Sequence, residues 1–186
     1  LSEYKTQARG GVGSRSSKTR DEDFLEHLFV ATNHNYLLIF TEKGKCFWMR
    51  IFEVPEGSKT SKGRAIQNLI NIEQDDKIMA YINTKDLKDE DYINGHNVIM
   101  ATKNGVVKKT SLEAYSRPRQ NGINAITIKD GDQLLEAKLT NGTSEIILAK
   151  KSGKAIRFSE EKVRAVGRTS QGVKGVTLEG KNDEVI

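Results

Sequence analysis

Val98-Ile99-Met100-Ala101-Thr102-Lys103-Asn104-Gly105-Val106-Val107-Lys108-Lys109 is two short apolar runs joined at Asn-Gly. Asn-Gly supplies positive φ at little steric cost, and flanks of this length and composition predict a β-hairpin. The pattern recurs at Gly44 in Thr41-Glu42-Lys43-Gly44-Lys45 and at Gly153 in Lys151-Ser152-Gly153-Lys154, with strands predicted over residues 36–40 and 146–149. The strand after each glycine ends in basic residues: Arg50, then Lys108 and Lys109, then Arg157.

Two further landmarks keep the same spacing. The acidic turns Asp21-Glu22-Asp23, Asp75-Asp76, Asp130-Gly131-Asp132 and Asn182-Asp183 place their last aspartates 53, 56 and 51 residues apart. The second, third and fourth open predicted strands at 77–82, 133–139 and 184–186. Alternating segments at 68–72, 124–128 and 174–178 predict a closing strand before each of these turns. About four strands per unit of roughly 50 residues is the period of a propeller-like blade, whereas helical solenoids would show a period near 3.6. The expected architecture is all-β: residues 1–24 end a first blade, 25–83, 97–142 and 143–186 are blades, and 84–96 is a polar insert with a solvated loop over 86–94. Leu1-Ser2-Glu3-Tyr4 matches Leu112-Glu113-Ala114-Tyr115, so the first copy is expected to lack its front half, and the last stops early. A partial array predicts poorly protected edges at both ends.

The 186 residues carry a net charge of +5, with 36% hydrophobic and 30% charged side chains. No apolar run reaches about 18 residues and no leader pattern is present, so neither a membrane span nor a signal peptide is predicted. The single Cys46, beside Phe47 and Trp48, excludes an internal disulfide and is expected to be a small buried side chain. These features fit the cytoplasm. His27, His34 and His96 are widely separated and lack metal-ligand spacing, so no metal site is expected. Gly10-Gly11-Val12-Gly13 is not followed by Gly-Lys-Ser/Thr, and no nucleophile elbow occurs. No catalytic residue and no cofactor are therefore expected in this chain. Tyr36, Phe40, Phe47 and Trp48 are predicted to be core.

Registering the units at their closing strands aligns four loops, 5–11, 58–64, 116–122 and 164–172, all basic, polar and glycine-ended. One such loop per blade makes a curved positive track. Lysine and arginine release counterions from a phosphate backbone, neutral side chains add hydrogen bonds, and glycines admit backbone N–H groups close to phosphate. The expected contacts to duplex DNA are Lys5, Arg9, Arg15, Lys18, Arg20, Lys59, Lys62, Arg64, Lys108, Lys109, Arg117, Arg119, Arg157, Arg164, Arg168 and Lys174.

Gln7-Ala8-Arg9-Gly10-Gly11-Val12-Gly13 resembles the GyrA box, Gln-basic-Arg-Gly-Gly-basic-Gly, which marks the C-terminal domains of DNA gyrase A subunits. The likeness continues through Arg20-Asp21-Glu22-Asp23-Phe24, Pro55-Glu56, Gly63-Arg64, Met100 to Gly105 with Lys108-Lys109-Thr110, and Val163 to Arg168. The resemblance implies a β-pinwheel whose blades exchange strands and whose rim wraps DNA, supporting negative supercoiling by a type II topoisomerase. It implies ATP and Mg2+ at other parts of the holoenzyme, a DNA-cleaving tyrosine in a separate region, and partnership with gyrase B subunits plus a second A subunit (A2B2). It also implies a bacterial, nucleoid-associated location. Gln7, Arg9, Gly10, Gly11 and Gly13 carry over as DNA-binding positions, while Ala8 and Val12 replace two cations. Weaker local phosphate attraction is expected there, with Lys5, Arg15, Lys18 and Arg20 nearby to compensate. Three alternatives stay open: the equivalent domain of topoisomerase IV, a protein-interaction propeller, and an enzyme with a ligand site in a central channel.

Overall fold

The computed structural model describes residues 6–13, 24–58 and 61–186. Its elements run β1 (Tyr36–Thr41), β2 (Lys45–Arg50), β3 (Ile78–Thr84), α1 (Glu90–Asn94), β4 (Asn97–Thr102), β5 (Val106–Ser111), β6 (Ile123–Asn124), β7 (Leu134–Thr140), β8 (Glu145–Ala149), β9 (Ala155–Ser159) and β10 (Val173–Lys174). All three predicted hairpins form, at β1–β2, β4–β5 and β8–β9. Leu1–Tyr4 and the turn at 21–23 lie outside the described residues.

Two antiparallel sheets have four strands, in the orders β3-β1-β2-β6 and β10-β5-β4-β7, and the third sheet holds β8-β9. Each four-stranded sheet borrows its outer strand from the following unit: Lys45 and Cys46 pair with Asn124 and Ile123, and Val107 pairs with Val173. This is the strand exchange of a pinwheel.

The closing strands are shorter than predicted. β6 and β10 span two residues each, and 68–72 forms no strand, its first residue closing a 3-10 turn at Ile66–Asn68. The remaining backbone groups dock on the neighbouring hairpin turn. Ala125 and Ile126 N–H donate to Gly44 O at 2.8 and 3.2 Å, and Gly175 and Val176 N–H donate to Gly105 O at 2.8 and 3.2 Å. Gly44 and Gly105 have φ of 81° and 82°, and an added Cβ would lie 2.6 Å from Ile126 O and 2.9 Å from Val176 O. Both glycines are thus required twice, by the turn and by the strand crossing it.

The acidic turns have a structural task. Asp76 Oδ1 accepts from Lys43 N at 3.1 Å and Lys77 N at 2.9 Å. Asp132 Oδ1 accepts from Asn104 N at 2.9 Å and Gln133 N at 2.8 Å. Asp183 accepts from Ser152 N at 3.0 Å and Glu179 N at 2.8 Å. Asp76 and Asp132 each tie the hairpin turn of their unit to the start of the inner strand, and Asp183 ties its hairpin turn to the backbone of Glu179, so that turn N–H groups do not lack partners. For Asp183 these bonds, led by that from Glu179 N, hold the carboxyl down at about 2.

Apolar burial is sheet against sheet. Leu38, Phe40, Ala80 and Ile82 of the first sheet share a core with Val98, Met100, Leu134 and Ala137 of the second. Ile99 and Val107 continue it to Leu148, Val163, Val176 and Val185. Each fully buried Leu, Ile or Phe contributes about 1.5–3 kcal/mol, which is why one unit needs its neighbour. Cys46, Phe40 and Phe47 are buried as expected, and Tyr36 and Trp48 are half-buried.

The insert differs from the expected solvated loop. Leu87 and Ile93 are buried in the first core, and Asp89 accepts from Tyr92 N at 3.1 Å to start α1. Two apolar residues in a polar stretch suffice to pin it. Phe24, Leu28 and Val30 on one side of the array, and Ile147 and Ile156 on the third sheet, are exposed. No helix among the described residues is long and apolar enough to cross a membrane.

Candidate nucleic-acid interface

After the second and third hairpins the chain crosses to the outer edge of the preceding sheet, and these two crossings carry the basic loops 116–122 and 164–172. The first leaves β5 through a 3-10 turn at Leu112–Tyr115, capped by Ser111, and reaches β6 beside β2. Trp48 Nε1 donates to Tyr115 O at 2.9 Å and holds its start. Gly122, at φ 68°, ends it where a Cβ would lie 2.7 Å from the Phe47 ring. The second crossing leaves β9 through Glu160–Lys162, capped by Ser159, and reaches β10 beside β5. Lys109 Nζ donates to Glu160 O at 2.8 Å, in the role Trp48 has one unit earlier.

Two residues expected on the DNA track are therefore structural. Lys108 is 0% exposed and does not offer its ammonium to solvent; Nζ donates to Ala125 O at 2.6 Å and to Arg168 O. It is the third residue after the turn glycine, the place held by buried Phe47 in the first unit. Lys109 is half-buried with its ammonium on the Glu160 carbonyl. Burial, with the charge of Arg168 adding to it, pulls Lys108 from its ordinary value of 10.5 down to about 8.

A pH dependence follows from that depressed value. Below about pH 8 both folded and unfolded Lys108 are protonated and the cost of burying the charge is present in full. Between about 8 and 10.5 the unfolded chain binds more protons, so stability rises with pH, by at most about 1.4 kcal/mol per pH unit. Urea unfolding of the wild type and Lys108→Met at pH 7 and pH 10 checks this. The wild type should gain stability relative to the variant at the higher pH, and a pH-independent difference would refute the assignment.

The crossings are bonded to each other. Thr127 N donates to Ser170 O at 3.2 Å and Thr127 Oγ1 to Thr169 O at 2.7 Å, while Lys108 bridges the carbonyls of Ala125 and Arg168. Where they meet lies a groove of about 410 Å³ lined by Lys45, Arg119, Asn121, Gly122, Ile123, Asn124, Arg168 and Thr169. It contains no carboxylate. Lys62 and Arg64 line a second groove, of about 420 Å³, which they share with Glu56.

Charge is sorted along the chain. In the first and third units the hairpin lysines pair with carboxylates at or beside the acidic turns: Lys43 with Glu73 and Asp75 at 3.1 and 2.6 Å, Lys45 with Glu73, Lys154 with Glu179 at 2.9 Å, and Lys151 with Glu184 at 3.3 Å. Hydrogen bonds from these lysines, Lys45 first at Glu73 and Lys154 first at Glu179, lower both carboxyls. Among the described residues no ion pair is made by Arg9, Lys62, Arg64, Arg117, Arg119, Arg164, Arg168 or Lys174. All of these are exposed except Arg168, which is half-buried. Arg157 is also exposed, with Nε 3.7 Å from Glu145. Lys5, Arg15, Lys18, Arg20 and Lys59 lie outside the described residues. Lys45, whose only sequence signal was its place after the turn glycine, joins the groove.

The heptapeptide at 7–13 divides into scaffold and display. Gln7 Oε1 accepts from Gly13 N at 2.8 Å, and Gly11 N donates to Ala8 O at 2.9 Å. A Cβ at Gly11 would lie 2.5 Å from Gln7 Oε1, and Gly10 and Gly13 have φ of 86° and 75°. The glutamine and glycines thus make a tight loop that leaves positions 8, 9 and 12 exposed. Arg9 is the one cation among those three.

Comparison with known proteins agrees with this architecture. The family model described as DNA gyrase C-terminal domain, beta-propeller, matches residues 1–32, 35–85, 96–141 and 145–186, nearly unit by unit. The DNA gyrase A subunit of Salmonella typhimurium is 41% identical over 186 residues, covering 100% of this chain and 20% of that protein. The chain thus spans about a fifth of the length of such curated relatives. The crystal structure of the C-terminal domain of DNA topoisomerase IV superposes with a TM-score of 0.72 at 32% identity, covering 82% of this chain and 46% of that one. A DNA gyrase A C-terminal domain structure, at 21% identity and a TM-score of 0.67, covers 100% of this chain and 57% of its own and shares the fold.

Proposed function

Because this chain belongs to the DNA gyrase C-terminal domain family, we propose that it binds duplex DNA without regard to sequence and bends it along the rim built by the crossings. The observation that carries this reading is the sorting of charge: in the first and third units carboxylates at or beside the acidic turns pair with hairpin lysines, while Arg117, Arg119, Arg164, Arg168 and Lys174 of the two crossings make no ion pair among the described residues. Cations repeated at one position on successive units follow a curved surface, and a polyanion that meets them in turn must curve too. Contacts to phosphate carry no sequence information, so binding that rests on them is tolerant of sequence.

In this reading the chain is the DNA-wrapping part of the gyrase A polypeptide of a type II topoisomerase, which supports negative supercoiling. ATP and Mg2+ act elsewhere in the holoenzyme, the partners are gyrase B subunits plus a second A subunit in an A2B2 assembly, and the setting is the bacterial nucleoid. Gln7 and the glycines of the heptapeptide shape its loop and Arg9 supplies its phosphate contact. With Ala8 and Val12 in place of cations, wrapping is weaker than in relatives with a complete box.

Ligation of a nicked circular DNA with saturating protein tests the reading. Removal of the protein should leave topoisomers whose linking number is shifted from the protein-free control. Binding without a shift would reduce the function to DNA attachment, and no binding to random duplex at low salt would favour a protein-interaction propeller.

A further inference from the structure

The groove between the two crossings has a construction that the separate loops lack. Its side chains come from two different units, Arg119 and Asn121 from the first crossing and Arg168 and Thr169 from the second. Its floor is fixed by bonds between the crossings, made by Thr127 to the carbonyls of Ser170 and Thr169 and by buried Lys108 to those of Ala125 and Arg168. No carboxylate lines it, and the one lysine present, Lys45, is already paired with Glu73. Two guanidiniums that face one cavity without a counterion repel each other, and a phosphate between them removes the repulsion while accepting from both. Asn121, Asn124 and Thr169 add neutral donors around it.

We infer that this junction groove is a seat for one backbone phosphate of the duplex, gripped jointly by Arg119 and Arg168. This rests on the DNA-binding reading. The grip then falls where units meet, in addition to the loop tips, so the docking of one unit on the next sets the phosphate site. A single phosphate shared by two arginines predicts coupled losses.

The test measures affinity of this chain for a random-sequence duplex in wild type, Arg119→Gln, Arg168→Gln and the double variant, with Lys62→Gln plus Arg64→Gln as a pair of equal charge. Each single variant should weaken binding about 10-fold, the double variant little more than either alone, and the salt slope should fall by about one phosphate equivalent, 0.9. The Lys62/Arg64 pair should lose affinity additively. Urea midpoints confirm folding, and Arg168→Lys, which keeps the charge, should retain part of the affinity. Additive losses for Arg119 and Arg168, or none, would overturn the shared seat while leaving DNA binding intact. A wild type that fails to bind would overturn the DNA reading and the seat together.

Discussion

Gly44→Ala and Gly105→Ala should each lower the stability of the chain by about 2–5 kcal/mol, whereas Gly153→Ala should cost only about 1–2 kcal/mol. All three glycines follow the first strand of a hairpin and have nearly identical φ, 81°, 82° and 81°. Positive φ alone therefore penalises alanine equally at each. The surroundings separate them. A Cβ would meet Ile126 O at 2.6 Å at Gly44 and Val176 Cγ1 at 2.8 Å at Gly105, but nothing within 4 Å at Gly153. The contacted atoms are docked backbone just beyond β6 and a buried valine, which cannot swing aside, so relief requires undocking the next unit's closing segment. That segment also carries Ala125 and Ile126, both buried, and its loss opens the shared core. Urea midpoints of the three variants check the ranking. Equal losses at all three positions would show that the crossing strand does not depend on glycine for its approach.

The hairpins are legible because their signal is local: a turn dipeptide and two short apolar runs are sufficient to specify β1–β2, β4–β5 and β8–β9. The spacing of the aspartates shows the unit, although not that Asp76, Asp132 and Asp183 bind the turn N–H groups, since partners about 30 residues away leave no local trace. The closing strands fall short of their pattern for the same reason: 124–128 alternates like a strand, yet beyond Asn124 its N–H groups at Ala125 and Ile126 bond to one glycine carbonyl. The register is there to be read at Lys108. The third residue after the turn glycine is Phe47, Lys108 and Ile156 in the three units, apolar in two of the three, and Phe47 and Lys108 are both buried while Ile156 on the two-stranded third sheet is exposed. Lysine reads as exposed because burying a charge is costly, and here two carbonyls and a lowered proton affinity make it tolerable. That Arg119 and Arg168 line one groove is beyond sequence reasoning, because the groove exists only once strands are exchanged between units.

The largest functional effect is expected from salt. Eight described cations on the two crossings, the 58–64 loop and the heptapeptide loop, Arg9, Lys62, Arg64, Arg117, Arg119, Arg164, Arg168 and Lys174, make no ion pair among the described residues. With Arg119 and Arg168 sharing one phosphate, about seven phosphates are neutralised, and at about 0.9 per phosphate log K falls with log salt at a slope near −6. A fourfold rise in salt, from about 50 to 200 mM, then weakens binding roughly several thousandfold. Hairpin lysines contribute little to this slope, since Lys43, Lys45 and Lys154 already have carboxylate counterions. A protein-interaction surface that used the same loops against scattered acidic residues would show a far shallower dependence, because folded partners carry no condensed counterion layer to release. The decisive measurement is the affinity of this chain for a random-sequence duplex across that salt range. A linear log–log plot with a slope near −6 is the predicted result, and an affinity unchanged between about 50 and 200 mM salt would contradict the account.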